Sequence, residues 1–237
     1  MKGIILAAGK GTRLYPTTKL ASKELLIVYN KPMIYYPLNT LIKAGIKDIL
    51  LINNSSNIGY FANLFKSGSD FGINITYKVQ DEQRGIADAV KLAKNFVGKD
   101  NFVLILGDNY FENNFSEEIN NFYGGAKIFI KEVENPERFG VAFINNNKIT
   151  KIVEKPTASE SKFAVTGFYI YDSEVFDIID NLKPSDRGEL EITDVNINYL
   201  QKNKLSFSIV NNYWVDMGTP DSIIKASLLI QKKERSE

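Results

Sequence analysis

Apolar, β-branched runs alternate with stretches of helical spacing through the first hundred residues. That alternation constrains the fold more than any other feature of the chain. Gly3 to Ala7, Asp48 to Ile52, Ile73 to Val79 and Phe102 to Leu106 read as strands. Met33 to Ala44, stopping at Gly45, reads as a helix, as do Ile58 to Phe65 and Ile86 to Phe96. Strand–helix–strand connections build parallel sheets covered on both faces. Such sheets bind ligands at the carboxyl ends of their strands.

The second half changes texture. Ala126 to Val133, Val141 to Asn145, Ile149 to Val153, Val165 to Tyr171 and Leu205 to Val210 read as strands. Asn145-Asn146-Asn147-Lys148 predicts a hairpin turn. Val175 to Ile179 and Glu191 to Leu200 read as helices, and Thr219-Pro220-Asp221 opens a last one with Thr219 as N-cap. The expectation is an α/β fold in a single domain, 1–237. Its Rossmann-like, mixed and mostly parallel sheet is flanked by helices, with a smaller β-rich part on the substrate side.

Two absences narrow the chemistry. The 237 residues include no Cys and no His. Thiolate nucleophiles, cysteine zinc sites, Ser-His-Asp triads and imidazole acid–base catalysis are therefore excluded. What remains is carboxylates, Lys, Arg, Tyr, hydroxyls and hard metal ions. That set suits reactions driven by positioning and charge neutralisation, such as phosphoryl or nucleotidyl transfer. A net charge of +1 gives no broad field for nucleic acid. No apolar run approaches the ~20 residues of a membrane span, and the start of the chain has no signal pattern, so the cytoplasm is the expected location.

The opening strand runs into Gly9-Lys10-Gly11-Thr12-Arg13, and Lys23 follows. Glycines let backbone N–H groups close on an anion, and Arg13 and Lys23 add positive charge. The spacing is not that of a Walker A loop, and Leu14 stands where a dinucleotide fingerprint has its third glycine. Asp108, after the strand Phe102 to Leu106, sits at the ligand edge of the sheet, where a carboxylate can hold Mg²⁺ or form an Asx turn. Asp216 follows a second short apolar run and stands just before a helix, where aspartates are common. Glu154-Lys155-Pro156 ends a strand. In an extended chain the acid and the base point to opposite faces, so they are not expected to pair. Arg187 to Asp194 mixes charge with a helix start and reads equally as cap or site.

Several segments occur together and in order. They are Gly11 to Pro16, Ser22 to Leu26, Asn30 to Leu38, Gly107-Asp108-Asn109, Pro136 to Val141, Glu154-Lys155-Pro156, Thr166 to Tyr169, Arg187 to Asp194 and Asp216 to Thr219. As a set they resemble the sugar nucleotidyltransferase family over nearly the whole chain. The likeness is strongest to the thymidylyl-transferring branch, in its short form. The resemblance implies Mg²⁺-dependent transfer from dTTP to glucose 1-phosphate, giving dTDP-glucose and pyrophosphate. It implies that Arg13 and Lys23 are catalytic and bind the triphosphate, and that Asp108 and Asp216 hold the metal. Ala8, Gly9, Gly11, Thr12, Gln80 and Gly85 would bind the nucleotide. Asn109, Gly140, Glu154, Lys155 and Thr166 would bind the sugar phosphate. Residues 1–110 would then be the nucleotide-binding part and 111–237 the sugar-phosphate part. The implied partners are these small molecules, with neither nucleic acid nor membrane. A homo-oligomer stays open, because the short form lacks the helices that build a regulatory site in longer relatives.

Some residues depart from that branch. Ala8 stands where a second glycine is usual and leans toward uridylyl-transferring relatives, so UTP is the alternative donor. Glu24 replaces a frequent Gln, and Ile27 a frequent Pro. A sugar-nucleotide-binding paralogue without catalysis is a further alternative. It would be expected to lose one or more of Arg13, Lys23, Asp108 and Asp216, all of which are present.

Overall fold

The computed structural model describes residues 1–236. Its strands are β1 (Lys2–Leu6), β2 (Ile27–Val28), β3 (Lys31–Pro32), β4 (Asp48–Asn53), β5 (Asn74–Val79), β6 (Phe102–Leu106), β7 (Asn109–Phe111), β8 (Ala126–Glu132), β9 (Gly140–Asn145), β10 (Lys148–Glu154), β11 (Phe163–Tyr171), β12 (Leu205–Ile209) and β13 (Trp214–Asp216). Its α-helices are α1 (Tyr35–Lys43), α2 (Ile58–Phe65), α3 (Ile86–Lys91), α4 (Lys94–Val97), α5 (Ser116–Asn120), α6 (Glu174–Asp180), α7 (Ile192–Gln201) and α8 (Pro220–Glu234).

β1, β4 and β6 are apolar on both faces because both faces are covered, whereas β5, at the sheet edge, alternates buried and exposed positions. Ile4, Leu50, Ile52, Phe102 and Leu104 point into one core, shared with Val90, Ile128, Tyr171 and Tyr199. Their chain neighbours Ile5, Ile49, Leu51, Val103 and Ile105 point into the other, with Leu38, Leu41, Phe61 and Phe168. This is the two-residue period of a strand buried on each side.

The main sheet runs β10-β9-β11-β6-β1-β4-β5, and β8 and β12 continue it beyond β11. β6, β1, β4 and β5 are mutually parallel, whereas β11 is antiparallel to β6, β8 and β9. Strands from both halves of the sequence thus share one sheet. The predicted hairpin joins β9 to β10, with Asn146 and Asn147 at φ 47° and 57°, the backbone that such a turn requires. Thr219 caps α8 by accepting from Ser222 N, and Ser222 Oγ accepts from Thr219 N in return.

The helix expected over Ile86 to Phe96 divides into α3 and α4. At the break Leu92 N donates to Ala89 O and Ala93 N to Val90 O, so the chain tightens to i→i+3 bonding for one turn. Among the described residues no helix is long and apolar enough to cross a membrane.

Two features of this topology position a site. β1 and β6 lie side by side in parallel, ending together at Leu6 and Leu106, and Gly107 N donates to Leu6 O at 2.8 Å. The glycine turn after β1 and Asp108 after β6 therefore emerge next to each other. β7 then pairs antiparallel with β13, which sets Asp216 opposite Asn109.

Candidate active site

Lys23 reaches back from a short 3-10 turn into the space left by the glycine turn. A Cβ on Gly9 would lie 3.1 Å from Lys23 Nζ. The ammonium donates to Asp108 Oδ2 at 2.6 Å, and Asn109 Nδ2 donates to Asp108 Oδ1 at 2.8 Å. On the facing strand Asp216 Oδ1 accepts from Gly218 N at 2.8 Å, and Arg13 lies 3.8 Å from Asp216 Oδ2. A Cβ on Gly218 would sit 2.6 Å from the Arg13 guanidinium and 2.7 Å from Asp216 Oδ1, so a larger residue here would displace both side chains. The β7–β13 pairing is closed by Met217 N donating to Asp108 O at 2.8 Å, which holds the two carboxylates in one cluster.

Two cavities meet at this cluster. One, about 260 Å³, is lined by Asp108, Asn109, Gly140, Glu154, Lys155 and Trp214, among others. The second, about 400 Å³, runs along the turn from Ala8 to Arg13 toward Gln80, Gln83 and Gly85. Arg13, Lys23 and Lys155 border both, so three cations stand where the cavities join.

Glu154 is held tightly in the first cavity. Thr193 Oγ1 donates to its Oε2 at 2.5 Å, and Arg187 donates to its Oε1 at 3.1 Å. Lys155 Nζ stands 3.5 Å from the same Oε1. The expectation that Glu154 and Lys155 point apart is therefore corrected. Lys155 is not extended but left-handed, at φ 38°, with its N–H bonded to Phe139 O at 3.0 Å, and this turns its side chain back toward Glu154.

The profile of the nucleotidyl transferase family matches residues 2–233. The chain belongs to this family. A glucose-1-phosphate thymidylyltransferase of Neisseria meningitidis is 47% identical over 98% of this chain and 83% of its own length. A solved Bacillus anthracis structure assigned to the same activity is 48% identical, with a TM-score of 0.92 over 97% of this chain and 94% of that one. The UDP-glucose pyrophosphorylase of Acinetobacter baumanii shares the fold at 24% identity, with a TM-score of 0.82 over 96% and 92% of the two chains.

For a nucleotidyl transferase the electrostatics of the cluster are apt. Burial alone would lower the pKa of Lys23, but Asp108, with Glu24 and Asp216, holds it well above the ordinary lysine value. Burial likewise opposes ionisation of Asp108, and Lys23 overcomes it, keeping Asp108 below the usual carboxylate range. Asp216 is pushed up, first by burial and then by the charge of Asp108. Two like charges are thus packed together against two cations. Such a cluster can exchange its internal partners for those of a bound anion or cation.

Most residues singled out from sequence gather here. Thr166 does not present its side chain. It is fully buried and donates to Phe129 O at 2.8 Å, while its neighbours Val165 and Gly167 face the cavity. Sequence reasoning gave no role to Glu24. It is fully buried beneath Gly107, accepts from Ser22 Oγ and lies 3.7 Å from Lys23 Nζ through an Oε1 that has no hydrogen bond. Burial pushes its pKa up to about 7 against the pull of Lys23. Trp214 was also missed. Its indole donates to Asn109 Oδ1 at 2.7 Å, an oxygen that also accepts from Gly167 N at 3.1 Å. A buried indole N–H has to find an acceptor. Asn109 is thereby locked as acceptor on one end and as donor to Asp108 on the other.

Proposed function

We propose that this nucleotidyl transferase joins dTTP and glucose 1-phosphate to give dTDP-glucose and pyrophosphate. The observation that carries the reading is the meeting of the two cavities at Arg13, Lys23 and Lys155, beside the paired strands that hold Asp108 and Asp216. The thymidylyltransferases among its relatives act on these substrates by name, at 47% identity over nearly the whole chain.

In this reading the triphosphate lies along the glycine turn, with its base at Gln80 and Gly85. Glucose 1-phosphate lies with its hydroxyls toward Glu154 and Asn109 and its phosphate toward Lys155. A phosphate oxygen of the sugar phosphate attacks the α-phosphorus. The new P–O bond forms as the bond between the α-phosphorus and its bridging oxygen breaks, and pyrophosphate leaves with that electron pair. The nucleophile is already an anion at neutral pH, so no general base is required. Arg13 and Lys23 neutralise charge on the triphosphate as it builds toward the leaving group.

Asp108 and Asp216 are hard oxygen donors packed at one point, one of them destabilised by the other's charge, and they fit a divalent cation. Magnesium would be held by these two carboxylates and the phosphates. There it would supply positive charge to offset the negative charge of the phosphates.

The test is pyrophosphate release over a grid of dTTP, dUTP, UTP and dCTP against sugar 1-phosphates. The reading expects dTTP with glucose 1-phosphate to give the highest kcat/KM, with UTP a measurable but poorer donor. Preference for UTP over dTTP would move the chain to the uridylyl-transferring branch, the direction in which Ala8 leans. No release with any pair would remove the catalytic reading.

A further inference from the structure

Gln80 forms the wall between the nucleotide-side cavity and a shallow concavity of about 740 Å³ behind it, bordered by Arg84, Asp88 and Lys91 among others. Its backbone extends the sheet, since Gln80 N donates to Asn53 O at 2.8 Å. The residue is only 4% exposed, so the polar atoms of its amide depend on protein or ligand partners rather than bulk water.

Among the described residues the amide has one protein partner. Gln80 Nε2 donates to Asp88 Oδ2 at 3.2 Å. Asp88 lies in the first turn of α3, mostly buried, and Arg84 stands 3.6 Å from its other oxygen. An ionised carboxylate only accepts, so the end of the amide that faces Asp88 has to be the nitrogen. No group among the described residues donates to Gln80 Oε1. Asp88 takes one of the two N–H donors of Nε2 and so fixes which end of the amide faces it, leaving Oε1 as the acceptor Gln80 can offer a ligand.

We propose that Asp88 is a specificity-determining positioning residue. By holding Gln80 Nε2, it makes Gln80 present an acceptor to the base and so selects pyrimidines that carry a ring N–H. Thymine and uracil have that donor at N3. Cytosine has a lone pair there, which would leave two acceptors face to face. Without Asp88 the Gln80 amide is free to rotate by half a turn and offer its nitrogen instead, because the terminal torsion of glutamine is broad and two-fold. The inference deepens the proposed function and rests on Gln80 facing the base.

The experiment compares kcat/KM for dTTP and dCTP, which share the deoxyribose, in the wild type and in Asp88→Asn, Asp88→Leu and Asp88→Glu. The wild type should favour dTTP by at least about 100-fold, the range expected where a mismatch leaves polar groups unpaired. Asp88→Asn and Asp88→Leu should cut that ratio about tenfold or more, largely by gain with dCTP, with the KM for glucose 1-phosphate within about twofold of wild type. Asp88→Glu keeps an acceptor-only group and should retain most of the ratio. If one of the two ratio-lowering variants does not fold, the other reads the same quantity. A folded Asp88→Asn or Asp88→Leu that keeps the wild-type ratio, or that loses both donors in parallel, overturns the proposal. A wild type that uses dCTP as well as dTTP also overturns it, and shows in addition that the fault lies in the base reading of Gln80. No pyrophosphate from either donor would instead point to failure of the proposed reaction.

Discussion

Lys23 and Asp108 neutralise each other across 2.6 Å, in a part of the cleft where each is largely buried. Neither charge is stable there alone. Asp108 without Lys23 would be a buried carboxylate beside a second one, Asp216. Lys23 is thus expected to hold the site together before any substrate enters.

Lys23→Met should therefore destabilise the fold as well as stop turnover. Removing one partner of a buried pair costs about 3–5 kcal/mol. Lys23→Met combined with Asp108→Asn should recover part of that loss, because Asp108 no longer carries an unpaired charge, although Glu24 still loses its neighbouring cation. Urea unfolding of the two single variants and the double variant measures the coupling. Additive losses would mean that the contact carries no stability.

Glu24 predicts a pH dependence. Its carboxyl ordinarily ionises near 4.5, and burial raises it to about 7 in the fold. The folded state therefore prefers the protonated form. The stability Glu24 contributes is full below about pH 4.5 and is lost as pH rises through 7, by about 3 kcal/mol in all. Glu24→Gln removes this dependence. The stability of Glu24→Gln minus that of wild type should grow between pH 5 and pH 8, and a flat difference in melting temperature over that range would refute it.

Asp108→Asn and Asp216→Asn should each lower kcat by several orders of magnitude. Asparagine keeps the shape in both, but Asp108→Asn should lose stability because Lys23 loses its main partner, whereas Asp216→Asn only relieves repulsion between the two carboxylates. Asp216→Asn should even be slightly more stable than wild type, since the raised pKa of Asp216 marks its charge as unfavourable in the free protein. EDTA should silence the wild type. Turnover in metal-free buffer would remove the metal from the reading.

Lys155 has a chemical role in the proposed reaction and an unfavourable backbone. Lys155→Ala should raise the KM for glucose 1-phosphate and lower kcat, with a loss of about 1.5–3 kcal/mol for a charge-assisted bond. Lys155→Gly should lose the same activity yet be more stable than Lys155→Ala by about 1 kcal/mol, because φ 38° suits glycine. Equal stability of the two would show that the left-handed turn costs nothing here.

The strands β1, β4 and β6 were legible because burial on both faces writes a nearly unbroken apolar run, and β5, at the sheet edge, by its alternation of buried and exposed positions. The Asn146-Asn147 turn and the Thr219 cap were legible because each needs particular residues at particular positions. The pairing of β7 with β13 left no such mark. Each strand is three residues long, they lie about a hundred residues apart, and only their pairing in the folded chain brings Asp108 to Asp216. The contacts of Arg187 and Thr193 with Glu154 were hidden in the same way, since the partners lie on separate elements. The placement of Thr166 was within reach. In β11 the residues on either side of it face the cavity, and the period of two turns Thr166 away. The bend at Lys155 was not, because nothing in Glu154-Lys155-Pro156 demands a left-handed lysine.

The β7–β13 pairing also sets a time order on the ribosome. Lys23 and Asp108 are made early, whereas Asp216 is made about a hundred residues after Asp108, or roughly 5–20 s later at ordinary rates of synthesis. Until β13 emerges and finds β7, a growing chain holds one carboxylate of the pair without the other. A nascent chain stalled before Trp214 would therefore carry the glycine turn and its cations but not the paired carboxylates.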